Sequence, residues 1–190
     1  MGEYPLGSVE DRKMLEEMPT RRLLDYLFLQ VRNLWRVDGL YFLGIEKKFG
    51  TEAATEIDAG VWEAMAAIEA KSLQKMFQVD ENPTVSKIIG LLCKSSWALD
   101  QPFKTVEVNS KRAVLWVNRC RTQETRLNKG LREFPCKKVR FGYLKNFAKA
   151  LNPGVEVNCL VCPPDQHPKD SWCKWEITLA FSESTLNSAR

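Results

Sequence analysis

Apolar residues recur at spacings of three and four along the first hundred positions, which is the period of amphipathic helices. The pattern predicts four helices, over 20–37, 38–50, 51–77 and 83–97. Asp38 suits the cap of the second helix, Gly50 its end, and Thr51 the cap of the third. Pro83 and Thr84 suit the start of the fourth helix. The N-terminal half is therefore predicted to be helical.

After Asp100 the pattern changes to β-branched and aromatic residues between short turns, which is typical of strands. The predicted elements are a hairpin over 102–120, helices over 122–131 and 136–152, and strands over 154–162 and 172–181. The expected fold class is α+β, with N-terminal helices packed against an antiparallel sheet of about four strands. We divide one globular domain into an N-terminal arm (1–19), a helical part (20–100), an α+β part (101–181) and a polar tail (182–190).

The composition, with 44% hydrophobic and 27% charged residues, is typical of one soluble globular domain. A chain of 190 residues can bury a core without covalent cross-links. The first residues lack the basic and apolar pattern of a signal peptide, and no apolar run reaches the roughly 18 residues of a membrane span. These features predict a cytoplasmic protein with no membrane partner.

The charge is unevenly distributed along the chain. Residues 111–149 carry twelve Lys or Arg against two Glu, a balance of +10, which leaves −6 for the rest of a chain whose net charge is +4. This basic segment suggests an anionic ligand, or pairing with the acidic remainder of the same chain. Nucleic-acid binding is the third-ranked interpretation, because the aromatic residues Tyr143 and Phe147 within the segment belong to a predicted core stripe.

Three of the six cysteines lie around one Pro-rich loop near the C-terminus. Cys159 and Cys162 end one predicted strand, and Cys173 begins the next, so hairpin closure would bring the three thiols together. Three thiolates are a good start for a tetrahedral zinc site, which takes four N or S ligands. The fourth ligand could come from His167 in the loop or from Cys136 before the last helix. Buried inert thiols and a redox dithiol are the alternatives.

The stretch from "CRTQETRLNKGLREFPCKK" to "CPPDQHPKDSWCKWEI" resembles the C-terminal part of the 4-vinyl reductase domain family. A more specific similarity, over roughly 20–180, is to uncharacterised prokaryotic cytosolic proteins related to the L-2-aminothiazoline-carboxylate hydrolase-like group. Its motifs are "DGLYFLGIEKKFG", "EFPCK" and "CPPD…WCKWE". The first resemblance implies metal ligands at Cys136, Cys159, Cys162 and Cys173. Cys159 stands where that family often has Glu, and an all-thiolate set favours zinc over harder metals.

Such a site would be closed and structural, because four thiolates leave no position for water. His167 is expected outside the ligand set, since Pro163, Pro164 and Pro168 restrict the loop around it. Zinc would staple the C-terminal hairpin to the last helix and make 101–181 the metal-binding part of the domain.

The helical part holds an acidic and aromatic set of residues that could line a ligand pocket. The pocket candidates are Trp35, Asp38, Tyr41 and Trp62. The candidates for catalysis are the carboxylates of Glu46 and Glu69 and the thiol of Cys120, which is flanked by two arginines that would lower its pKa if it were exposed.

These features lead to a first hypothesis of a zinc-stapled, non-enzymatic small-molecule-binding protein with a sensor-like or carrier-like role. A homodimer is an open possibility. The alternative is a small-molecule hydrolase or lyase that uses the helical carboxylates or Cys120. The third is nucleic-acid binding through 111–149.

Overall fold

The computed structural model describes residues 5–179, which form six helices and one four-stranded antiparallel sheet. The elements are α1 (Val9–Glu16), α2 (Thr20–Met76), α3 (Val85–Leu92), α4 (Ser96–Leu99), β1 (Lys104–Val108), β2 (Arg112–Val117), α5 (Arg121–Asn128), α6 (Lys137–Leu151), β3 (Val155–Val161) and β4 (Cys173–Leu179). The predicted α+β class and the antiparallel sheet are confirmed. The predicted tail, 182–190, lies outside the described residues.

α2 combines the first three predicted helices, and its backbone departs from helical geometry only at Gly50, where φ is 87° and ψ is 165°. This conformation is essentially restricted to glycine, so Gly50 permits the chain to reverse there. The reversal brings Trp35 and Asp38 of the first arm (20–49) against Trp62 of the second arm (51–76).

The predicted break at Asp38 is wrong, because the helix continues through it. Asp38 accepts a hydrogen bond from the Trp62 indole N–H at 3.0 Å. Its side chain therefore serves a contact between the two arms of α2, and no helix begins at this residue.

The predicted fourth helix is divided into α3 and α4. Thr84 caps α3 by accepting a hydrogen bond from the backbone N–H of Lys87, and Ser95 caps α4 through the N–H of Ala98. A serine side chain that bonds to the backbone in this way competes with continuation of a helix. The break at Ser95 follows from that competition.

The sheet has the strand order β1-β2-β4-β3, and each neighbouring pair is antiparallel. The predicted hairpin is confirmed, with the side chain of Asn109 accepting hydrogen bonds from the backbone of Lys111 and Arg112 in its turn. Inward-facing Leu115 and Trp175 are buried. Helix α6 packs on this face and lies between the sheet and α2.

Helix α6 contributes the predicted apolar stripe to the core. Its members Val139, Tyr143, Phe147 and Leu151 are all buried. Burying each such side chain contributes roughly 1.5–3 kcal/mol. None of the helices between residues 5 and 179 combines the length and apolar character needed to cross a membrane.

Candidate functional site

A cavity of about 300 Å³ lies where the two arms of α2 meet α4, α5 and α6. We call it the central cavity. Aromatic and aliphatic side chains form much of its lining, among them Trp35, Leu40, Phe42, Leu43, Trp62, Trp97, Leu131 and Phe134. Its polar lining includes Asp38, Asp58, Gln101 and Arg140, and three thiols also reach its wall. An apolar enclosure with a few convergent polar groups is the usual form of a small-molecule site.

Two stacked indoles form a wall of the central cavity. The rings of Trp35 and Trp62 are 4.6 Å apart between centroids and nearly parallel, at 2°. The Trp35 N–H donates to the backbone carbonyl of Ser96 at 3.0 Å, and the Trp62 N–H donates to Asp38. Both indoles are therefore fixed in orientation without a ligand.

Asp38 and Asp58 form a pair of carboxyl groups at the same wall, and their side chains hydrogen-bond to each other. Burial, and then the negative charge of Asp38, raises the pKa of Asp58 to about 7. Burial also raises the pKa of Asp38, although the hydrogen bond from Trp62 opposes the shift. Near neutral pH the pair therefore shares a proton, which is the behaviour of two carboxyls too close to ionise together.

Arg140 extends from α6 into the lining of the central cavity, and the residue is only 7% exposed. Its guanidinium carbon lies 4.8–5.7 Å from the ring centroids of Trp35, Trp62, Trp97 and Tyr143. Its Nη1 is buried and has no hydrogen-bond partner within the described chain. A buried charged donor left unpaired is costly, so this group is suited to an acceptor brought by a ligand.

Gln101 presents a second unsatisfied group to the cavity. The residue is buried, and its Oε1 has no hydrogen-bond partner among residues 5–179. The lining thus contains one unpaired donor, on Arg140, and one unpaired acceptor, on Gln101.

Three cysteine sulfurs converge beside the cavity and form what we call the thiol cluster: Cys136, Cys162 and Cys173. The Sγ atoms of Cys136 and Cys162 are 3.3 Å apart, and Cys162 also hydrogen-bonds to Cys173. The bonds to Cys136 and Cys173 raise the pKa of Cys162, and the bond from Cys162 lowers the pKa of Cys173. Gln123 donates to the Cys136 sulfur at 3.7 Å.

Cys159, the fourth predicted zinc ligand, is placed differently from the thiol cluster. It lies opposite Trp175 on β3, next to a register shift that ends at Val161, and lines a separate surface depression with Lys137. Burial raises its pKa to about 11, while the nearby charge of Lys137 opposes that shift. Across residues 5–179, no group of three or more His, Cys, Asp or Glu side chains has an arrangement that could hold a metal ion.

His167, which we expected outside the ligand set, packs its ring on Trp172 with centroids 4.6 Å apart. Its Nδ1 lies 3.0 Å from the carbonyl oxygen of Pro168, and its Nε2 lies 3.5 Å from a carboxylate oxygen of Glu133. All three residues that His167 contacts therefore lie in loops.

Of the three catalytic candidates, Glu46 and Glu69 are held by hydrogen bonds within the protein, and Cys120 is buried. Glu46 accepts two hydrogen bonds of 2.9 Å from Arg126, which lower its pKa. Glu69 accepts from the hydroxyl of Tyr143 at 2.7 Å and from a backbone N–H at 2.6 Å. Burial raises the pKa of Cys120 to about 12, so its thiol is protonated near neutral pH and is a weak nucleophile. Cys120 does line the central cavity.

Of the pocket candidates, Trp35, Asp38 and Trp62 line the central cavity, whereas Tyr41 is 72% exposed and is not part of the lining. Each residue turns an α-helix by about 100°, so the six residues from Trp35 to Tyr41 place Tyr41 about 120° around the helix from the Trp35 face.

Much of the basic segment is paired within the chain. Its ion pairs are Arg112–Glu176, Arg119–Glu124, Arg121–Asp100, Arg126–Glu46, Lys137–Asp165 and Lys138–Glu56. The pairs with Asp100, Glu46 and Glu56 join it to the acidic helical half, which is the intramolecular pairing considered from the sequence.

Asp58 and Arg140 line the cavity but were not chosen as pocket candidates from the sequence, although Asp58 belongs to the acidic and aromatic set of the helical part. Asp58 stands four residues before Trp62, so both share one helix face. Arg140 stands three residues before Tyr143 and seven before Phe147, which puts a cation on the apolar stripe of α6. A charged residue at a predicted core position was the signal that could have identified Arg140.

Residues 16–179 match a family described as a family of unknown function, DUF6125. Neither the curated proteins nor the solved structures contain a match to this chain.

Proposed function

The chain belongs to the DUF6125 family, whose function is unknown, and we propose that it is a small-molecule-binding protein whose ligand places an anionic group in the central cavity. The observation that carries this proposal is the unpaired, buried Nη1 of Arg140 in the cavity lining. A guanidinium binds a carboxylate with strong, directional hydrogen bonds. The stacked indoles of Trp35 and Trp62 supply a surface for the apolar part of the ligand.

The rings around Arg140 support a binding role because they hold the guanidinium in place before a ligand arrives. Cation–π contacts with four rings restrict its rotamers. A ligand then bears little of the entropic cost of ordering the site. A cavity of about 300 Å³ is at the lower end of ordinary ligand pockets and suits a small metabolite.

The test uses 3-phenylpropanoate and its uncharged amide as probes in calorimetric titrations. The wild type should bind the carboxylate at least roughly tenfold more tightly than the amide, since a charged hydrogen bond contributes about 1.5–3 kcal/mol. Arg140→Met should abolish the preference. Arg119→Met, a change at an exposed arginine paired with Glu124, should retain it. Equal affinities for the two probes in the wild type would refute the anionic-ligand proposal.

We also propose that zinc binds the C-terminal cysteines and staples the last hairpin to α6. The proximity of Cys136, Cys162 and Cys173 supports this, since tetrahedral thiolates around zinc lie about 3.8 Å apart at a Zn–S distance of about 2.3 Å. Cys159 is the fourth ligand implied by the resemblance to the 4-vinyl reductase domain family. The four thiols do not form a metal-holding group as they lie in the structure, so zinc binding would have to draw them together. The metal would supply cross-linking, with no catalytic role.

Elemental analysis of purified protein tests the zinc proposal. We expect near-stoichiometric zinc in the wild type and in Cys93→Ser, because Cys93 follows α3, apart from the thiol cluster. Cys136→Ser and Cys162→Ser should lose most of it. Metal-free wild-type protein, or full zinc in both cluster variants, would contradict the proposal.

We rank the hydrolase or lyase alternative second. The contacts of Glu46 and Glu69 and the raised pKa of Cys120 support this order, because none of the three is a free, activated group. Nucleic-acid binding remains third, in view of the ion pairs made by the basic segment.

A further inference from the structure

The central cavity contains two kinds of polar site. On α6, Arg140 offers a positive donor whose Nη1 is unpaired. On α2, Asp38 and Asp58 offer carboxyl oxygens, and Gln101 adds a buried, unpaired acceptor. A ligand that carried only an anionic group would satisfy the first site and leave the Gln101 oxygen without a donor.

Both sites adjoin the same indole, which limits their separation to the length of a small molecule. The Arg140 guanidinium carbon lies 5.7 Å from the centroid of the Trp62 ring. The N–H of that ring donates to Asp38 at 3.0 Å. One compact ligand lying along Trp62 can therefore reach both the guanidinium and the carboxyl pair.

The charge balance of the cavity also favours a ligand with no net charge. With one proton on the carboxyl pair, Asp38, Asp58 and Arg140 together are neutral. An added carboxylate alone, or an added amine alone, would introduce a net charge into a largely apolar enclosure, which is costly. The other cations of the lining do not alter this balance of the buried groups. Arg121 is paired with Asp100, which also binds Arg32, and Arg126 is paired with Glu46. Arg36 and Lys129 are exposed, so water screens their charges.

We propose that the ligand is an apolar amino acid, with its carboxylate at Arg140, its ammonium group at the Asp38–Asp58 pair and Gln101, and its side chain along Trp35 and Trp62. This inference rests on the proposed function and adds the second charged group. An ammonium group has three donors, so it can bond to the carboxyl oxygens of the pair and still offer a donor to Gln101, whose unpaired oxygen lines the same cavity. Its position beside the indoles adds cation–π attraction.

The experiment compares three probes of similar shape by calorimetric titration: L-phenylalanine, 3-phenylpropanoate without the ammonium group, and 2-phenylethylamine without the carboxylate. The wild type should bind L-phenylalanine at least roughly tenfold more tightly than either of the others. Asp58→Asn and Asp38→Asn should each remove most of this advantage and leave the affinity for 3-phenylpropanoate within about threefold of the wild type.

Failure of this inference alone can be distinguished from failure of the anionic-ligand proposal. If 3-phenylpropanoate binds as tightly as L-phenylalanine, the amino-acid inference is overturned and the anionic-ligand proposal stands. If only 2-phenylethylamine binds, both are overturned, as they are if none of the three probes binds the folded wild type. Thermal unfolding of each variant identifies misfolded protein. Gln101→Leu is a further variant, outside the carboxyl pair. It should weaken the affinity for L-phenylalanine selectively.

Discussion

Asp58 couples the ionisation of the central cavity to folding. Burial, and then the negative charge of Asp38, raises its pKa from 3.8 to about 7 in the folded protein. A carboxyl whose pKa is raised on folding contributes stability that is complete below its unfolded pKa and is lost as the pH rises through its folded pKa. The stability contributed by Asp58 is therefore lost progressively between about pH 4 and a pH somewhat above 7.

We predict that Asp58→Asn, which removes this titration, is more stable relative to the wild type at pH 8 than at pH 5. Urea unfolding at a series of pH values measures the difference in the free energy of unfolding. Asp25→Asn, at an exposed position of the same helix, is the control and should show a difference that is nearly independent of pH. A constant difference for Asp58→Asn would show that the pair does not hold a proton on folding.

Trp62 links the carboxyl pair to the aromatic wall, and its indole N–H donates a hydrogen bond to Asp38. We predict that Trp62→Phe destabilises the protein by about 2 kcal/mol or more, because it loses both ring volume and a hydrogen bond to a partly buried carboxyl. Denaturant unfolding measures this. A decrease of less than about 0.5 kcal/mol in the free energy of unfolding would mean that neither the ring packing nor the hydrogen bond contributes appreciably to stability.

Glycine conformation governs the arrangement of α2, where Gly50 reverses the chain and Gly60 lies inside a regular exposed turn. We predict that Gly50→Ala destabilises the protein by about 1–3 kcal/mol, since alanine is strained at a φ of 87°. Gly60→Ala should instead stabilise it by about 0.5–1 kcal/mol, because no atom lies within 4 Å of the added methyl group. Equal effects of the two substitutions would argue against a reversal at Gly50.

The helical periodicity and the turn residues were sufficient to predict the class of nearly every element. The hairpin was predictable because Asn109 binds the backbone of its own turn. The helix boundary at Asp38 was not, because the side chain that could have capped a helix bonds to Trp62, 24 residues away. Local patterns do not report such long-range competition for a side chain.

The site was only partly predictable for the same reason. Trp35, Asp38 and Trp62 stood out as aromatic and acidic residues in one helical region, and they line the cavity. Arg140 was counted only as charge, since its environment comes from rings on α2, α4 and α6 that meet after folding. Cys159 lines the surface depression and not the central cavity, and it lies next to a register shift in β3 that residue spacing does not encode.

For the whole molecule, the ion pairs between the basic segment and the helical half oppose a role in nucleic-acid binding. We predict no salt-dependent affinity for duplex or single-stranded DNA or RNA at roughly 150 mM salt, an ionic strength at which exposed charges more than about 8 Å apart are largely screened from each other. Fluorescence anisotropy with labelled oligonucleotides measures it. Binding that persists at this salt concentration and falls steeply above it would contradict the prediction.

The central claim is that the cavity holds a small molecule whose anionic group binds Arg140, and native mass spectrometry of freshly purified protein tests it most directly. We predict a 1:1 complex whose released ligand is a small molecule with a carboxylate or another anionic group. The complex should be present in the wild type and in Arg119→Met, and absent from folded Arg140→Met. Retention of the same ligand by Arg140→Met, or release of a ligand without an anionic group from the wild type, would contradict the account.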